Sequence, residues 1–347
     1  YNKNIESVKQ CYLDWANGYN VESFIKKFWE EVSLNMEAKD DYIISSGERC
    51  AAKVLSLILG VTFFDDIIVE GPISDAKIVH INPPKQLHKD ILIIPGFYGY
   101  DHGEIKTIGR SGSDITAGAV AKFFDCEEVI IYTDVKGIYT ADPRKVPSAK
   151  LLTHMNRWDA IELGYAGGNV LHPRTSANLL GTDIKIWVKS LLDNEVGTQI
   201  DEQHVNTLSV ACLNDQQLVT VEKKNINGIP GVASELFLKM SSHNYSVSLI
   251  TQSCSECCIS FTTNECNDLS VISEIIEKRK VGIITLVGTS MKNKVGIAAK
   301  LFSAISKCNI NVLAISQGST ERSISFVVDR EETINALNCC HNAFINN

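Results

Sequence analysis

The sequence predicts an α/β protein: an α/β/α layered domain over residues 1–200, followed by two ferredoxin-like βαββαβ units over 201–347. Up to about residue 200, short runs rich in Ile and Val alternate with helical patterns, which is typical of a mostly parallel sheet covered on both faces. Beyond it, two segments of the chain repeat one another at a fixed spacing of 65 residues. A length of 347 residues is sufficient for two or three domains.

The elements of the first domain follow from its apolar runs and their spacing. Strands are predicted at Tyr42–Ser45, Ile91–Ile94, Val129–Tyr132 and Ile184–Val188. Helices are predicted at Arg49–Leu59, Ile115–Phe124 and Trp158–Tyr165. The first ten residues, YNKNIESVKQ, are polar and helical, so we expect that an N-terminal strand is missing from this sequence.

The repeat defines the second half of the chain. The segment LITQSCSECCISF (Leu249–Phe261) matches AISQGSTERSISF (Ala314–Phe326) without a gap, and Gly231–Ala233 matches Gly296–Ala298. Each copy reads as strand, glycine loop, helix, strand, turn, strand and helix. We place the first unit at about 214–280 and the second at about 281–347, with a strand over 207–213 that the two could share.

Composition excludes several classes of function. The formal net charge of −8 argues against nucleic acid as a partner, because phosphate binding needs a basic face. No run approaches the roughly 20 apolar residues that span a bilayer, and the start does not resemble a secretion signal. The eleven cysteines lack the spacing of a disulfide framework. We therefore expect reduced thiols in a cytoplasmic protein.

A glycine-rich loop carries the first sign of a site. The stretch TIGRSGSDITAG (Thr107–Gly118) holds one Arg and one Asp among Gly, Ser and Thr, with the strand-like ILIIPGF (Ile91–Phe97) before it and a helix after it. Backbone N–H groups at a helix N-terminus favour an anion. Arg110 could pair with a carboxylate or phosphate, and Ser113 or Asp114 is placed as the N-cap. The alternative is a capped helix with a surface Arg–Asp pair.

Three further loops combine small residues with charges. They are SSGERC (Ser45–Cys50), IYTDVKGIYTADPR (Ile131–Arg144) and GGNVLHPRT (Gly167–Thr175). Together with the first loop, we interpret them as strand-end loops, which lie where parallel sheets bind ligands. The side chains singled out in the first two loops are Glu48, Thr133, Asp134, Tyr139 and Arg144.

Together these motifs carry a specific resemblance. In this order, SSGE, TIGRSGSD, YTDVKGIYTADPR and NVLHPRT resemble the aspartokinases of the amino acid kinase superfamily, and the doubled unit with ITQSCSE and ISQGSTE resembles their tandem ACT domains. The resemblance implies transfer of the ATP γ-phosphate, with Mg²⁺, to the β-carboxylate of L-aspartate. The product is 4-phospho-L-aspartate, in the first step of lysine, threonine and methionine biosynthesis. The alternatives are another amino acid kinase of this fold and a catalytically inactive amino acid sensor.

The resemblance also implies roles for individual residues. The catalytic residues are Arg110, which pairs with a substrate carboxylate, and Asp114, which orients the loop and the catalytic cation. Glu48 meets the α-ammonium of aspartate, whereas His172 is structural. Ser111, Gly112 and Ser113 line the substrate pocket. The implied ATP-binding residues are Thr133, Asp134, Tyr139, Arg144 and Asn169.

The sequence departs from the family pattern at three points. The family's KFGGTS-like strand, whose lysine contacts the transferring phosphate, does not occur in it. Ser111 stands where the family usually has Gly, which requires a backbone conformation that suits a residue with a Cβ. Asn169 replaces the usual Lys before VLHP, which removes a cation from the phosphate site.

The C-terminal half is expected to be regulatory. Loops Asn227–Val232 and Asn293–Gly296 precede helices and could bind an amino acid's carboxylate. A purely structural dimer interface is the alternative, and we expect a homo-oligomer through these units. The predicted effector-binding residues are Val247, Ser248, Gln252, Ser253 and Glu256.

Threonine is expected slightly ahead of lysine as the effector, because Ser248 stands where lysine-sensitive relatives commonly have Asp. Lysine stays the alternative, since Glu256 or backbone carbonyls could receive its ammonium group. The run CSECC (Cys254–Cys258), with Cys266, lacks the paired spacing of a zinc site, so no metal is expected there. The chain ends just after the second unit, so no fused homoserine dehydrogenase is expected in it.

Overall fold

The structure is a computed structural model that describes residues 2–35, 40–84, 91–168, 170–193, 196–222, 232–252, 258–265, 267–270, 272 and 275–345. The chain divides into two compact units, Tyr1–Val129 and Ile130–Asn347, each with its own hydrophobic cores. The domain boundary predicted near residue 200 stays a prediction. No helix in the described ranges has the length and apolar character needed to cross a membrane.

The first unit combines a helical part with two small sheets. Its helices are α1 Asn2–Trp15, α2 Glu22–Leu34, α3 Asp40–Ile44, α4 Ser46–Leu59 and α5 Gly112–Phe123. Its strands are β1 Thr62–Phe63, β2 Ile67–Glu70, β3 Lys77–Ile81, β4 Leu92–Ile93, β5 Tyr98–Asp101 and β6 Glu104–Thr107. Strands β1 and β4 pair in parallel. The other sheet has the order β3-β2-β5-β6, in which only β2 and β5 are parallel.

The strand predicted at Tyr42–Ser45 is wrong, because α3 occupies this part of the chain. The reason is Asp41, which is 1% exposed and accepts hydrogen bonds from the backbone N–H of Thr107 at 2.9 Å and of Ser74 at 3.1 Å. The hydroxyls of both residues donate to it as well. Although burial opposes ionisation, these bonds outweigh it and lower the pKa of Asp41. A short apolar run does not by itself distinguish strand from helix.

The helices predicted at Arg49–Leu59 and Ile115–Phe124 and the strand predicted at Ile91–Ile94 are confirmed, with shifted ends. The helix predicted at Arg49–Leu59 is α4, which ends at Gly60 in the left-handed conformation that glycine adopts without strain. The helix predicted from Ile115 begins earlier, at Gly112. Between the apolar run that contains β4 and helix α5, the chain forms the hairpin β5–β6.

The second unit begins with the remainder of the α/β part. Its elements are β7 Glu128–Thr133, β8 His154–Asn156, α6 Arg157–Tyr165, α7 Pro173–Asn178, β9 Lys185–Ser190 and β10 Thr198–Asp201. The strands form a sheet of order β7-β9-β10-β8, in which β10 is parallel to β8 and antiparallel to β9. The α/β class is confirmed, with sheets in the described residues that mix parallel and antiparallel neighbours.

The rest of the second unit is one sheet with helices. Its elements are β11 Ser209–Glu222, α8 Val232–Ser242, β12 Val247–Gln252, β13 Cys258–Asn264, β14 Ile275–Val287, α9 Ile297–Lys307, β15 Ala314–Gln317, β16 Ser323–Asp329 and α10 Thr333–Ile345. The strand order is β12-β13-β11-β14-β16-β15. Two long antiparallel strands, β11 and β14, form its centre. The offset of 65 residues relates α8 to α9 and β13 to β16 residue by residue, as the repeat predicts.

One prediction about the cysteines is wrong. Cys308 at the end of α9 and Cys339 on α10 form a disulfide, with their Cα atoms 6.7 Å apart. Packing of these two helices against the same sheet brings together residues that are 31 positions apart, which a search for framework spacing does not detect. Free thiols among the described cysteines include Cys11, Cys50, Cys126, Cys212 and Cys340.

Candidate functional site

The glycine-rich loop connects β6 to α5 in the first unit. The backbone turns at Gly109, whose carbonyl accepts from Gly112 N at 3.0 Å. Ser111 is the N-cap, with φ 57° and ψ 28°, and its side chain makes no capping bond. The prediction of Ser113 or Asp114 as the cap is therefore wrong, because the early turn places both in the first helical turn. A left-handed Ser at this point is strained, since its Cβ crowds the backbone.

The Pro-Gly-Phe turn lies directly against the start of α5. A Cβ added to Gly96 would lie 2.7 Å from Ser113 Cα, and one added to Gly112 would lie 3.0 Å from Phe97 Cα. Phe97 N donates to Thr116 Oγ1 at 3.2 Å, and Phe97 O accepts from Ile108 N at 2.8 Å. The predicted site did not include Gly96, although its Pro-Gly sequence was a signal. This contact between two backbone segments requires glycine on both sides.

The charged residues of the first unit differ in their surroundings. Arg110 is exposed on the loop, whereas Asp114 is half-buried, and burial raises its pKa. Glu48 is exposed in the first turn of α4. It does not follow a strand as predicted, because the preceding residues are helical. Ser111, Gly112 and Ser113 lie side by side between Arg110 and Asp114, at the exposed N–H groups of the helix.

A separate cavity of about 480 Å³ lies in the second unit. Thr133, Asp134, Tyr139 and Arg144 all line it, so the structure brings together four of the five predicted nucleotide residues. The fifth, Asn169, lies outside the described residues. The cavity is also lined by Gly137, Ile138, Asp142, Lys145, Gly167, Gly168, Val170, Cys212 and Leu337.

The strand end at β7 and the following turn form one side of this cavity. Thr133 Oγ1 accepts from Val135 N at 3.0 Å and lies 3.2 Å from the carboxylate of Asp134. The loop continues through Ile138, whose N–H donates to the buried hydroxyl of Thr198 at 2.8 Å. These bonds fix the loop, and the carboxylate of Asp134, which accepts from Thr133 Oγ1, is exposed to solvent.

Arg144 forms an ion pair with Asp142, a residue that the sequence did not single out. Its Nε and Nη2 donate to Asp142 Oδ1 and Oδ2 at 3.0 and 3.1 Å. The hydrogen bonds to Asp142 raise the pKa of Arg144. Burial of Asp142 opposes its ionisation, but the bonds from Arg144 outweigh burial and lower its pKa. The bidentate pair orients the solvent-exposed guanidinium of Arg144 at the cavity wall.

The GGNVLHPRT segment follows helix α6, which a buried cation fixes in place. Arg157 is 0% exposed and donates to the carbonyls of Leu179, Thr182 and Ile184 and to Glu202 Oε1. His172 is the N-cap of α7, where its Nδ1 accepts from Arg174 N at 3.2 Å. This capping bond gives His172 a structural role.

Three of the predicted effector residues, Val247, Ser248 and Gln252, lie on β12. A register shift between Val247 and Leu249 leaves Ser248 opposite no partner in β13, and its hydroxyl donates to Gln216 Oε1 at 3.3 Å. Ser253 and Glu256 lie outside the described residues, as does nearly all of the loop 227–232. The same is true of Cys254 and Cys266, and no group of three metal-ligating side chains occurs in the part of the chain that is described.

In the second copy, the corresponding loop at Asn293–Gly296 already holds a protein carboxylate. Asn293 N donates to Glu321 Oε2 at 2.7 Å. Gly296, with φ 90°, is the N-cap of α9. The carboxylate of Glu321 therefore takes one of the N–H groups that we predicted for a ligand.

Comparison with known proteins assigns the family. The amino acid kinase family matches residues 9–190, which is more than half of the chain. The chain belongs to the amino acid kinase family. An ACT domain matches residues 284–344, which contain α9, β15, β16 and most of α10.

Two curated relatives of this amino acid kinase differ in length. The bifunctional aspartokinase/homoserine dehydrogenase of Haemophilus influenzae is 37% identical over 281 residues, which are 74% of this chain and 34% of that protein. The aspartokinase of Bacillus sp. (strain MGA3) is 29% identical over 339 residues, which are 88% of this chain and 81% of that protein. The chain thus spans about a third of the length of the first relative.

A solved structure agrees with the fold of this amino acid kinase. It is E. coli aspartokinase III in complex with aspartate and ADP, which is 24% identical, with a TM-score of 0.81 over 99% of this chain and 86% of that one. All the predicted catalytic, substrate-binding and nucleotide residues, from Glu48 to Asn169, fall within the kinase match. The predicted effector residues, 247–256, precede the ACT match.

Proposed function

We propose that this amino acid kinase is an aspartokinase, which transfers the ATP γ-phosphate to the β-carboxylate of L-aspartate and yields 4-phospho-L-aspartate. The observation that carries the proposal is the cavity at the end of β7, which gathers Thr133, Asp134, Tyr139 and Arg144 from one aspartokinase-like motif. The names of the two curated relatives support the same activity.

The nucleotide would bind in this cavity. Tyr139 offers a ring for the base, and Arg144, held by Asp142, offers a fixed cation to a phosphate. Asp134 presents an exposed carboxylate at the cavity wall, which suits Mg²⁺, because this ion is commonly held by one or two carboxylates together with substrate phosphates. When bound, the ion would neutralise charge on the transferring phosphoryl group.

The acceptor would bind at the start of α5. Arg110 would pair with a carboxylate of aspartate, and the N–H groups of the first helical turn would stabilise negative charge beside it. Glu48 would meet the α-ammonium. Aspartate's β-carboxylate is already ionised at neutral pH and needs no general base, so Asp114 acts by orientation rather than by accepting a proton.

The C-terminal sheet would regulate the enzyme. We propose that residues 214–280 form a second ACT unit, which the exact 65-residue correspondence of α8 with α9 and β13 with β16 supports. The effector amino acid would bind at β12, and the units would pair between subunits of a homo-oligomer. A cytoplasmic location stays a prediction.

The decisive test is phosphoryl transfer by the full-length protein. ADP release is followed with L-aspartate, L-glutamate, N-acetyl-L-glutamate and UMP as acceptors. The acyl phosphate is trapped with hydroxylamine, which forms a hydroxamate only from an activated carboxyl. Activity with aspartate alone supports the proposal. Preference for another acceptor identifies a different amino acid kinase, and nucleotide binding without turnover identifies a sensor.

A further inference from the structure

The last helix of the ACT domain makes a buried contact with the nucleotide loop. His341 on α10 is 0% exposed, and its Nε2 lies 2.9 Å from Thr140 Oγ1. Its Nδ1 lies 3.4 Å from the hydroxyl of Ser148. Burial, and next the charge of Lys150, lower the pKa of His341, so the ring is neutral and can accept at one nitrogen and donate at the other. The two residues of the main contact are 201 positions apart.

Thr140 is the point at which this loop is held together. Its N–H donates to Lys150 O and its hydroxyl accepts from Lys150 N, both at 2.9 Å. Its carbonyl accepts from Val210 N at 2.8 Å. Thr140 therefore joins the two ends of the loop between Tyr139 and Leu151, which pair in an isolated β-bridge. Asp142 and Arg144 of this loop line the cavity.

Other residues on the same face of α10 reach the loop or its cavity. Leu337, one turn before His341, lines the cavity, and Asn338 Nδ2 donates to Lys145 O at 3.1 Å. Near the end of the helix, Ile345 O accepts from Lys150 Nζ at 3.4 Å. Contacts with α10 thus extend from the cavity wall to the base of the loop.

The loop also belongs to the hydrophobic core of the ACT domain. Ala141 and Val146, both buried, pack in one cluster with residues of β14, α9, β16 and α10. Members of this cluster from the ACT domain include Leu301, Ile305, Phe326, Ala336 and Cys340. A loop that shares a core with a domain cannot change its conformation independently of that domain.

We propose that α10 of the ACT domain is part of the nucleotide site, and that His341 is a positioning residue that holds the Thr140–Lys150 loop in the conformation that binds ATP. This inference rests on the proposed nucleotide site. It does not require that aspartate be the acceptor. A regulatory domain that forms one wall of the nucleotide site would alter ATP affinity whenever its own packing changes.

The test compares His341→Ala with His341→Gln in the full-length protein. Loss of the buried bond should raise the Kd for Mg-ATP and its KM by up to about tenfold. The KM for aspartate and kcat should stay within about twofold, because the described hydrogen-bond partners of His341 are Thr140 and Ser148 of the nucleotide loop. Gln, which can still reach Thr140, should restore part of the affinity. Asn335→Ala is the matched control: it removes an exposed side chain of α10 that donates to Glu332 Oε2 at 3.2 Å and does not line the cavity, and it should leave the Kd and the KM for Mg-ATP within about twofold.

Thr140→Val provides a second variant that keeps α10 intact and removes the hydroxyl partner of His341. It should raise the Kd for Mg-ATP as His341→Ala does. If His341→Ala fails to fold, the ATP affinity of Thr140→Val tests the role of this hydrogen bond. Unchanged ATP affinity in Thr140→Val, or equal changes in both substrate constants in His341→Ala, would overturn the inference. Direct measurement of ATP binding distinguishes this inference from the proposed aspartokinase activity. A protein that binds ATP but does not phosphorylate aspartate would refute only the proposed activity.

Discussion

Asp159 on α6 accepts two hydrogen bonds from Thr289, one from its backbone N–H at 2.7 Å and one from its hydroxyl at 3.3 Å. Asp159 lies in the kinase match and Thr289 in the ACT match, so the pair joins the two domains. A second contact lies nearby, where Ser323 donates to Glu162 at 3.0 Å. Because Asp159 is 1% exposed, its charge is in a site with little water.

The ionisation of Asp159 predicts a pH-dependent stability. Burial raises its pKa from 3.8 to about 6, against the opposing hydrogen bonds from Thr289 and the charges of Arg322 and His204. Between these pH values the folded protein retains a proton that the unfolded chain has lost. The free energy of unfolding that this group contributes is therefore fully present below about pH 4, falls as the pH rises to about 6, and is constant above.

Asp159→Asn removes this titration and keeps an oxygen for Thr289. The free energy of unfolding of the variant, minus that of the wild type, should rise by up to about 3 kcal/mol between pH 4 and 7. Urea denaturation at intervals of pH measures this difference. Ser323→Ala, an uncharged change at the neighbouring contact with Glu162, should leave the pH profile parallel to that of the wild type. Parallel profiles for Asp159→Asn would contradict the assignment.

The conformation of Ser111 predicts a stabilising substitution. With φ 57°, Ser111 occupies a region that glycine enters without strain, so Ser111→Gly should raise the free energy of unfolding by about 1 kcal/mol. Ser113→Gly is the matched control, because Ser113 lies inside the helix, where glycine costs about 0.5–1 kcal/mol. The midpoints of chemical denaturation should move in opposite directions. A shift in the same direction for both variants would exclude strain at Ser111.

Arg110 predicts a large loss of turnover. In Arg110→Ala, a carboxylate of the substrate loses its charge-assisted partner. The transition state should lose about 2–4 kcal/mol of stabilisation, so kcat/KM for aspartate should fall on the order of 30- to 1000-fold. Arg110→Lys should also be poor, because lysine cannot form the bidentate pair. Lys122→Ala, at the other end of α5, is the control and should retain activity. Near-normal turnover in a folded Arg110→Ala protein would remove this loop from the acceptor site.

The proposed nucleotide cavity predicts a selective effect on the KM for ATP. Arg144→Ala removes the cation that Asp142 orients, so the KM for ATP should rise by about tenfold or more while that for aspartate changes little. Lys136→Ala is the control, because Lys136 pairs with Asp193 at 3.0 Å and does not line the cavity. Steady-state kinetics with ATP and aspartate varied in turn give the two KM values separately. An effect on aspartate alone would mean that this motif is not the nucleotide site.

Local patterns were sufficient for much of the fold. The strands around Val129 and Ile186 and the helix that begins near Trp158 are confirmed, because their runs agree with long-range packing. The repeat located α8, α9, β13 and β16, since an ungapped offset preserves position in the sheet. Thr133, Asp134, Tyr139 and Arg144 could be grouped because all belong to one strand end and its loop.

The failures share a cause, which is that distant partners determine local structure. Asp41 is bonded to Ser74 and Thr107, 33 and 66 residues away, and these bonds place a helix where the apolar run suggested a strand. The N-cap at Ser111 depends on the turn at Gly109 rather than on side-chain preference. The contact between His341 and Thr140 joins segments whose sequences show no sign of one another.

The proposed effector site at β12 predicts a change of specificity. Ser248 presents a neutral hydroxyl next to Gln216, and neither side chain supplies the negative charge that would meet the ε-ammonium of lysine. A threonine ligand requires only a hydrogen bond there, so threonine should inhibit the full-length enzyme more strongly than lysine at matched concentrations. Ser248→Asp should weaken inhibition by threonine and confer some response to lysine, because an exposed carboxylate can pair with the ammonium group. Ser248→Asn, which has a similar size and no charge, is the control and should not respond to lysine. Strong inhibition of the wild type by lysine, with no effect of threonine, would refute the preference, because it would require a counter-charge other than residue 248.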